Sequence, residues 1–290
     1  MRIVIAIGGN ALLKKNETQS ADTLKHNSEI AANSIAKLAQ AHDIIIVHGN
    51  GPQVGMLAIQ QSNYPFDILD AESQGMIGYV LQQSLNNALP TGKLALSLLT
   101  QVIVAANDPA FKHPSKPIGP YYPTPENSRN WSFVQHGNEW RRVVASPKPQ
   151  KIVELSAIQL LSQAGYIVIA AGGGGIPCTE TDSGGTTGIE AVIDKDLTAA
   201  RLALDIAADQ LIILTDVDGV YEHWGTPQQT RLQAVSATSL MQHTFESGSM
   251  GPKIQAACEF VTDSGKTAII GHLEQLPQLM QQQTGTVIKA

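Results

Sequence analysis

Apolar runs that stop at glycines alternate along this chain with segments whose apolar residues recur three, four and seven apart. Residues 3–7 are a continuous apolar run, as expected of a strand buried on both faces, and it ends at Gly8, Gly9, Asn10 and Ala11. A long helical segment follows, with Leu24, Ala31, Ile35 and Leu38 on one face. Residues 44–47 repeat the strand pattern and again stop at glycines, in His48-Gly49-Asn50-Gly51-Pro52-Gln53-Val54-Gly55. Strand, glycine turn and helix, twice over, predict a mainly parallel sheet with helices on both faces. In such α/β folds ligands bind beyond the carboxyl ends of the strands.

Residues 70–89 read as one helix, in which Gly75 and Gly78 would admit a close neighbour, and 94–105 as a strand region. Between 108 and 149 the composition changes to eight prolines, several aromatics and little periodicity. A structureless loop of that length is uncommon inside a compact domain, so the stretch is expected to protrude as a lobe or lid, with 116–120 its most ordered turn. The α/β rhythm resumes with a helix over 151–164, a strand over 166–171 and the run Gly172, Gly173, Gly174 and Gly175. Residues 182–188 look like a hairpin loop and 191–193 like a short buried strand, after which Leu197, Ala200, Leu204 and Ala207 repeat at helical spacing. A strand over 210–215 runs into Thr215-Asp216-Val217-Asp218-Gly219-Val220-Tyr221. Near the C-terminus, Gly248-Ser249-Met250-Gly251-Pro252-Lys253 precedes an apolar stripe of Ile254, Ala257, Cys258 and Val261. Ser249 is therefore a candidate N-cap, and Lys253 falls in the first turn of a helix, where its charge opposes the dipole.

Composition narrows the function more than the fold. The 290 residues, 43% of them hydrophobic, suffice for one large α/β domain or two small ones. A net charge of −6 with no basic run argues against nucleic-acid binding, so an anionic substrate would have to be drawn in by local lysines. Cys178 and Cys258, far apart, fit packing residues in a reduced compartment. The N-terminal apolar run is too short for a signal peptide and no run approaches the ~18 residues of a membrane span, so a cytoplasmic location is expected.

The chemistry centres on Lys195, set between Asp194 and Asp196 where a β-rich run gives way to a helical one. Alone, such a trio is most simply a solvated surface patch. The glycine turns change that reading, because backbone N–H groups stripped of side chains can face phosphoryl oxygens. Lys116 and Lys253 add two further candidate cations, and together these features suggest phosphoryl transfer. His48 reads as a strand-end histidine satisfied by backbone. The glycine pair Gly75 and Gly78 reads as helix packing.

On these residues the sequence resembles the carbamate kinases of the amino-acid-kinase superfamily. The likeness runs end to end, through Gly8 to Ala11, residues 48–55, Ser73-Gln74-Gly75, Ile77-Gly78-Tyr79, residues 116–120, Arg141-Arg142-Val143-Val144, Ser146-Pro147, residues 172–177 and 191–196, and the Gly-Ser-Met-x-Pro-Lys element. It implies one domain over 1–290, an open αβα sandwich with a protruding lobe at about 108–149. The acceptor would bind in 1–170 and the nucleotide in 171–290. It also implies a homodimer and a reversible reaction between ATP and carbamate, with Mg²⁺ accompanying the nucleotide and no metal-ligating residue assigned. Carried over by position, Gly8, Gly9, Asn10, Gly49, Asn50, Gly51, Gly173 and Gly174 would cradle the acceptor and phosphoryl group. Lys195 and Lys253 would stabilise the transferring group, Asp196 would orient the lysines, and Lys116 would reach in from the lobe. Thr215, Asp216, Val217, Tyr221, Ser249, Met250 and Lys253 would hold the nucleotide.

The chain departs from the family pattern at residues 135–140, where many carbamate kinases carry an acidic, glycine-rich segment, and at Asp216 and Asp218-Gly219. Two other functions fit parts of the sequence. One is a non-catalytic nucleotide or acyl-phosphate sensor on the same fold. The other is a dinucleotide-binding oxidoreductase, from the glycine spacing at 49–55 with Asp67 and Asp70 beyond it.

Overall fold

The structure is a computed structural model that describes residues 1–14, 17–61, 63–125, 131–243, 245 and 250–290. From the N-terminus, β1 (Arg2–Ile7) leads through the single turn α1 (Gly9–Leu12) to α2 (Ala21–Leu38), and β2 (Asp43–His48) leads through α3 (Gly51–Gln60) to α4 (Phe66–Ala88). Ser20 caps α2, its side chain accepting from the Thr23 amide at 3.1 Å. Two short strands follow, β3 (Ala95–Ser97) and β4 (Gln101–Val104), and then three that form the lobe, β5 (Lys116–Tyr122), β6 (Ser132–His136) and β7 (Glu139–Val144). The chain returns through β8 (Pro149–Ile152), α5 (Leu155–Gln163) and β9 (Ile167–Ile169) to the hairpin β10 (Ile176–Glu180) and β11 (Thr186–Gly188). The remainder runs α6 (Lys195–Asp205), β12 (Gln210–Thr215), β13 (Tyr221–Glu222), β14 (Thr230–Arg231), β15 (Ala234–Ser236), α7 (Ala237–Leu240), α8 (Met250–Ser264), β16 (Thr267–His272), α9 (Leu276–Met280) and β17 (Thr286–Lys289).

Eight strands make the central sheet in the order β15-β17-β16-β12-β1-β2-β9-β3, every pair parallel except β16 with β17. Side chains of successive strand residues alternate between two cores. Val4 and Ala6 of β1 pack with Ala199 and Ala203 of α6 and with Ala257 and Val261 of α8. Ile3, Ile5 and Ile7 pack with Ile35 of α2, Leu81 of α4 and Leu276 of α9 on the other face. That is the αβα sandwich expected from the sequence. Among the described residues no helix is long and apolar enough to cross a membrane.

Four local expectations change. The 94–105 region is two strands, not one: β3 closes the edge of the central sheet, whereas β4 joins a second sheet ordered β11-β10-β4-β8. Residues 151 and 152, expected as the start of a helix, instead end β8, which pairs antiparallel with β4. Residues 191–193 are fully buried as predicted but pair in no strand; the Val192 amide donates to Ala145 O at 3.0 Å instead. Gly75 meets no neighbour within 4 Å, while Gly78 packs on Ser97 of β3, so only one of the pair serves packing.

The lobe is ordered by a three-stranded antiparallel sheet, β5-β7-β6. Pro117 and Pro120 hide β5 from a period-of-two reading, yet β5 is an edge strand with a register shift between Ile118 and Tyr121, where missing amide donors are tolerated. The divergent 135–140 segment is the β6–β7 hairpin, turning at Gly137 with φ +63°. At the root of the lobe the Asp108 carboxylate accepts from the amides of Ala110 at 2.8 Å and Lys148 at 3.1 Å, tying its two stems together. The lobe docks on α3 through Ile118 and Val144, which pack with Val54, Leu57 and Ala58, and through a close approach of two glycines, since a Cβ on Gly55 would lie 2.1 Å from the Gly119 nitrogen. Gly55→Ala must therefore part β5 from α3, and is expected to cost about 1–3 kcal/mol as overpacking. Thermal unfolding should show the loss, and limited proteolysis should show faster cleavage between 108 and 149. An alanine variant as stable and as protease-resistant as the parent would contradict this docking.

Candidate active site

The strands β1, β2 and β12 end side by side, and their three following turns meet. Gly8 sits against the backbone of Leu214 and Thr215, where an added Cβ would come 3.0 Å from Leu214 O. Gly49 sits against Gly9 and Lys195, its Cβ position lying 2.8 Å from the Gly9 nitrogen and 3.2 Å from Lys195 Cδ. The turn at 172–174 joins them, because Gly172 lies against His48, Gly173 against the Asn50 side chain and Gly174 against Ile193 O. Gly173, Gly174 and Gly175 all hold positive φ, at 72°, 107° and 94°, a backbone path that only glycine follows without strain.

Asp194 starts α6. Its Oδ1 accepts from the amides of Asp196 at 2.9 Å and Leu197 at 3.3 Å, so the cap fixes Lys195 and Asp196 in the first turn. Lys195 is bonded to Asp196 Oδ1, and Lys253, four residues into α8, donates to Asp196 Oδ2 at 3.2 Å. Lys116, the first residue of β5, reaches from the lobe to Asp194 Oδ2 at 2.5 Å. All three predicted lysines thus converge on two adjacent carboxylates. Lys195 is only 7% exposed, which rules out the surface-patch reading.

Burial alone would push both carboxylates up, but the ammonium groups outweigh it. Lys116 and Lys195 hold Asp194 far below the usual range, and Lys195 and Lys253 lower Asp196. Burial pushes Lys195 below the ordinary lysine range, opposed by Asp196 and Asp194. For Lys253 burial acts the same way, and Asp196 and Asp194 more than reverse it. Three ammonium groups thus meet two carboxylates in one cluster, with Asp216 adding to the field on Lys253.

The other predicted residues fall in three groups. Thr215 ends β12 beside Gly8, and Asp216 next to it adds to the field on Lys253. Val217 is half-buried on the same loop. Tyr221 turns away from the cluster, donating to Asp218 Oδ1 at 2.6 Å and stacking edge-on against Trp224. Met250 begins α8 and packs against the core, and Gly51 is open, with nothing within 4 Å of its Cβ position. Ser249 lies outside the described residues, as does the side chain of Asn10, whose backbone is in α1. Among the described residues no group of three His, Cys, Asp or Glu could hold a metal ion. The two central carboxylates, Asp194 and Asp196, are bonded to lysines.

Three residues take roles that the sequence does not reveal. Asp194 reads in the sequence only as a flanking charge, and its dual role as helix cap and Lys116 partner is tertiary. Asp70 and Ser73 of α4 bind the Asn50 side chain: Asn50 Nδ2 donates to Asp70 Oδ1 at 2.7 Å and to Ser73 Oγ at 2.8 Å. The available signal was an aspartate within a helix at positions that otherwise face the core.

His48 is buried, and its Nδ1–H donates to Gly49 O at 3.1 Å, the backbone-satisfied role expected of it. Burial pushes its pKa down to about 4, the Gly49 carbonyl opposing and Lys195 assisting. The folded chain then binds fewer protons than the unfolded chain between pH 6.5 and about 4, so this residue's contribution falls as the pH falls through that window, by up to about 3 kcal/mol. Denaturant unfolding of the parent and His48→Gln from pH 7.5 to 4.5 should show the parent losing stability relative to the variant. A difference independent of pH would mean that His48 binds its proton alike in the folded and unfolded chain.

Comparisons with known proteins agree with this geometry. The profile of the amino acid kinase family matches residues 1–272. The carbamate kinase of Rhizobium meliloti is 48% identical across 100% of this chain and 94% of its own length, and that of Haemophilus influenzae 46% identical across 99% and 96%. Among solved structures, the carbamate kinase from Giardia lamblia bound to AMP-PNP superposes with a TM-score of 0.89 at 34% identity, covering 99% of this chain and 98% of that one.

Proposed function

The chain belongs to the amino acid kinase family, and we propose that it catalyses reversible phosphoryl transfer between ATP and carbamate, running chiefly from carbamoyl phosphate and ADP toward ATP. One observation carries the reading: Lys116, Lys195 and Lys253 meet on Asp194 and Asp196 at the sheet edge where the glycine turns open. Carbamate is already an anion, so no general base is needed, and the work is alignment and charge neutralisation. The turns at 8–10, 49–51 and 173–174 would present amides to the acceptor and the phosphoryl oxygens. Lys195 and Lys253 would follow the charge on the transferring group, with Asp196 holding both ammonium groups in place. Lys116 would exchange Asp194 for the phosphoryl oxygens, which couples the lobe to the ligand.

In this reading residues 1–170 bind the acceptor and 171–290 the nucleotide, through Thr215, Asp216 and the start of α8. A kinase acting on ATP uses a divalent metal; Mg²⁺ is the one proposed, carried by the nucleotide. The dinucleotide alternative loses its basis, since Gly49 is packed on Gly9 and Lys195 and its turn faces the lysine cluster. The protein is further proposed to work in the cytoplasm as a homodimer. The outer face of α4 supports the dimer, with Ile68 45% and Tyr79 60% exposed on either side of the open Gly75. Light scattering at micromolar concentration should give twice the 30.9 kDa chain mass, and the chain mass itself would remove the dimer.

ATP formation from ADP, Mg²⁺ and carbamoyl phosphate tests the activity, with acetyl phosphate as the competing donor. If Lys195 stabilises charge that develops in the transition state, its loss lowers kcat more than it raises KM. Lys195→Ala is expected to lose at least about a thousandfold in kcat, and Lys195→Arg also fails because a planar fork cannot replace a compact ammonium beside Asp196. A folded alanine variant that loses less than about tenfold in single-turnover assays would end the catalytic assignment.

A further inference from the structure

Asn50 is the N-cap of α3, yet its side chain makes no cap hydrogen bond. An asparagine there ordinarily accepts from the second or third helical amide. Here the amide group is drawn the other way, to Asp70 and Ser73 on α4, at 2.7 and 2.8 Å. Ser73 is itself set by a 2.8 Å bond to Asp70 O, and Gly173 closes the far side, where a Cβ would come 2.2 Å from Asn50 Nδ2. Both hydrogens of the Asn50 amide are therefore spent inside the protein. The first turn of α3, with Pro52 contributing no donor, keeps its remaining N–H groups uncapped.

We propose that Asp70 is a positioning residue for the acceptor side: by holding the Asn50 amide toward α4 it keeps that side chain off the N-terminus of α3, leaving the Gly51 and Gln53 amides for the anion. The assignment rests on the phosphoryl-transfer reading above. Burial favours the neutral acid at Asp70. It is 1% exposed, its Oδ2 has no hydrogen-bond partner among the described residues, and burial drives its pKa well up, with Asp67 on the same helix adding to the rise and Asn50 and Lys116 opposing it. A neutral carboxyl still accepts from Asn50, so charge is not what the position requires.

The experiment combines steady-state ATP formation with amide hydrogen exchange at Gln53, in the parent, Asp70→Asn, Asp70→Ala and Ser73→Ala. Asp70→Asn keeps a neutral acceptor and should stay within about threefold of the parent in both KM values. Asp70→Ala frees Asn50 to cap α3, so the KM for carbamoyl phosphate should rise about tenfold while that for ADP stays within about twofold, and exchange at Gln53 should slow. Ser73→Ala removes the second acceptor and should shift both readouts in the same direction by less. An unchanged carbamoyl phosphate KM in folded Asp70→Ala, a parallel rise for both substrates, or a loss beyond about tenfold in Asp70→Asn overturns the proposal. Should Asp70→Ala not fold, Ser73→Ala with unaltered KM and unaltered exchange overturns it equally. Failure of the parent to use carbamoyl phosphate would count against the function, whereas the exchange readout would still decide the role of Asp70.

Discussion

Asp196 accepts from two ammonium groups at once, the buried Lys195 beside it on α6 and the half-buried Lys253 from α8, and the site depends on that convergence. Buried lysines are costly unless paired, and a buried carboxylate is costly for the same reason. Each makes the other tolerable, so the two helices are tied at their N-terminal ends, the place where sheet-edge ligands approach. The lysine in the first turn of α8, unfavourable for its own helix, is stabilised by the aspartate in the first turn of another.

That arrangement needs glycine on every facing turn. The contacts of Gly49 with Gly9 and Lys195, and of Gly8 with Leu214, leave no room for a Cβ. The amides of Gly8 and Gly49 are themselves spent on Leu214 O and Ile7 O, so these two glycines serve the close approach of the turns. The lobe repeats the device at Gly55 and Gly119, where backbone meets backbone and Lys116 is carried to within reach of Asp194.

Polar burial behind the cluster is graded. Asp194 is fully engaged, by a helix N-terminus on one oxygen and a lysine on the other, and stays ionised. The Asp70 carboxyl has only the Asn50 amide at hydrogen-bond distance and is pushed the other way. The two buried aspartates are thus shifted in opposite directions, according to whether a cation lies within bonding distance.

The sequence by itself determined the periodic part of the molecule. Unbroken apolar runs at 3–7, 44–47 and 210–215 could only be strands covered on both faces, and the stripes through Leu24 to Leu38 and Ile254 to Val261 could only be helices lying on them. Those signals are local, with each residue's neighbours in the chain setting its face. The glycine turns and the three lysines were legible for the same reason, as residue types whose placement is costly without a use. Tertiary structure decided the rest. It built the lobe's sheet from a proline-rich stretch whose strand pairing lies between segments more than a dozen residues apart. It split 94–105 between two sheets, and it left 191–193 buried without strand partners. It also gave Asp194 and Asp70 their partners, Lys116 and Asn50, 78 and 20 residues away. No local pattern encodes such pairs, because what selects them is the desolvation of a polar or charged group, which exists only once the chain has closed around it.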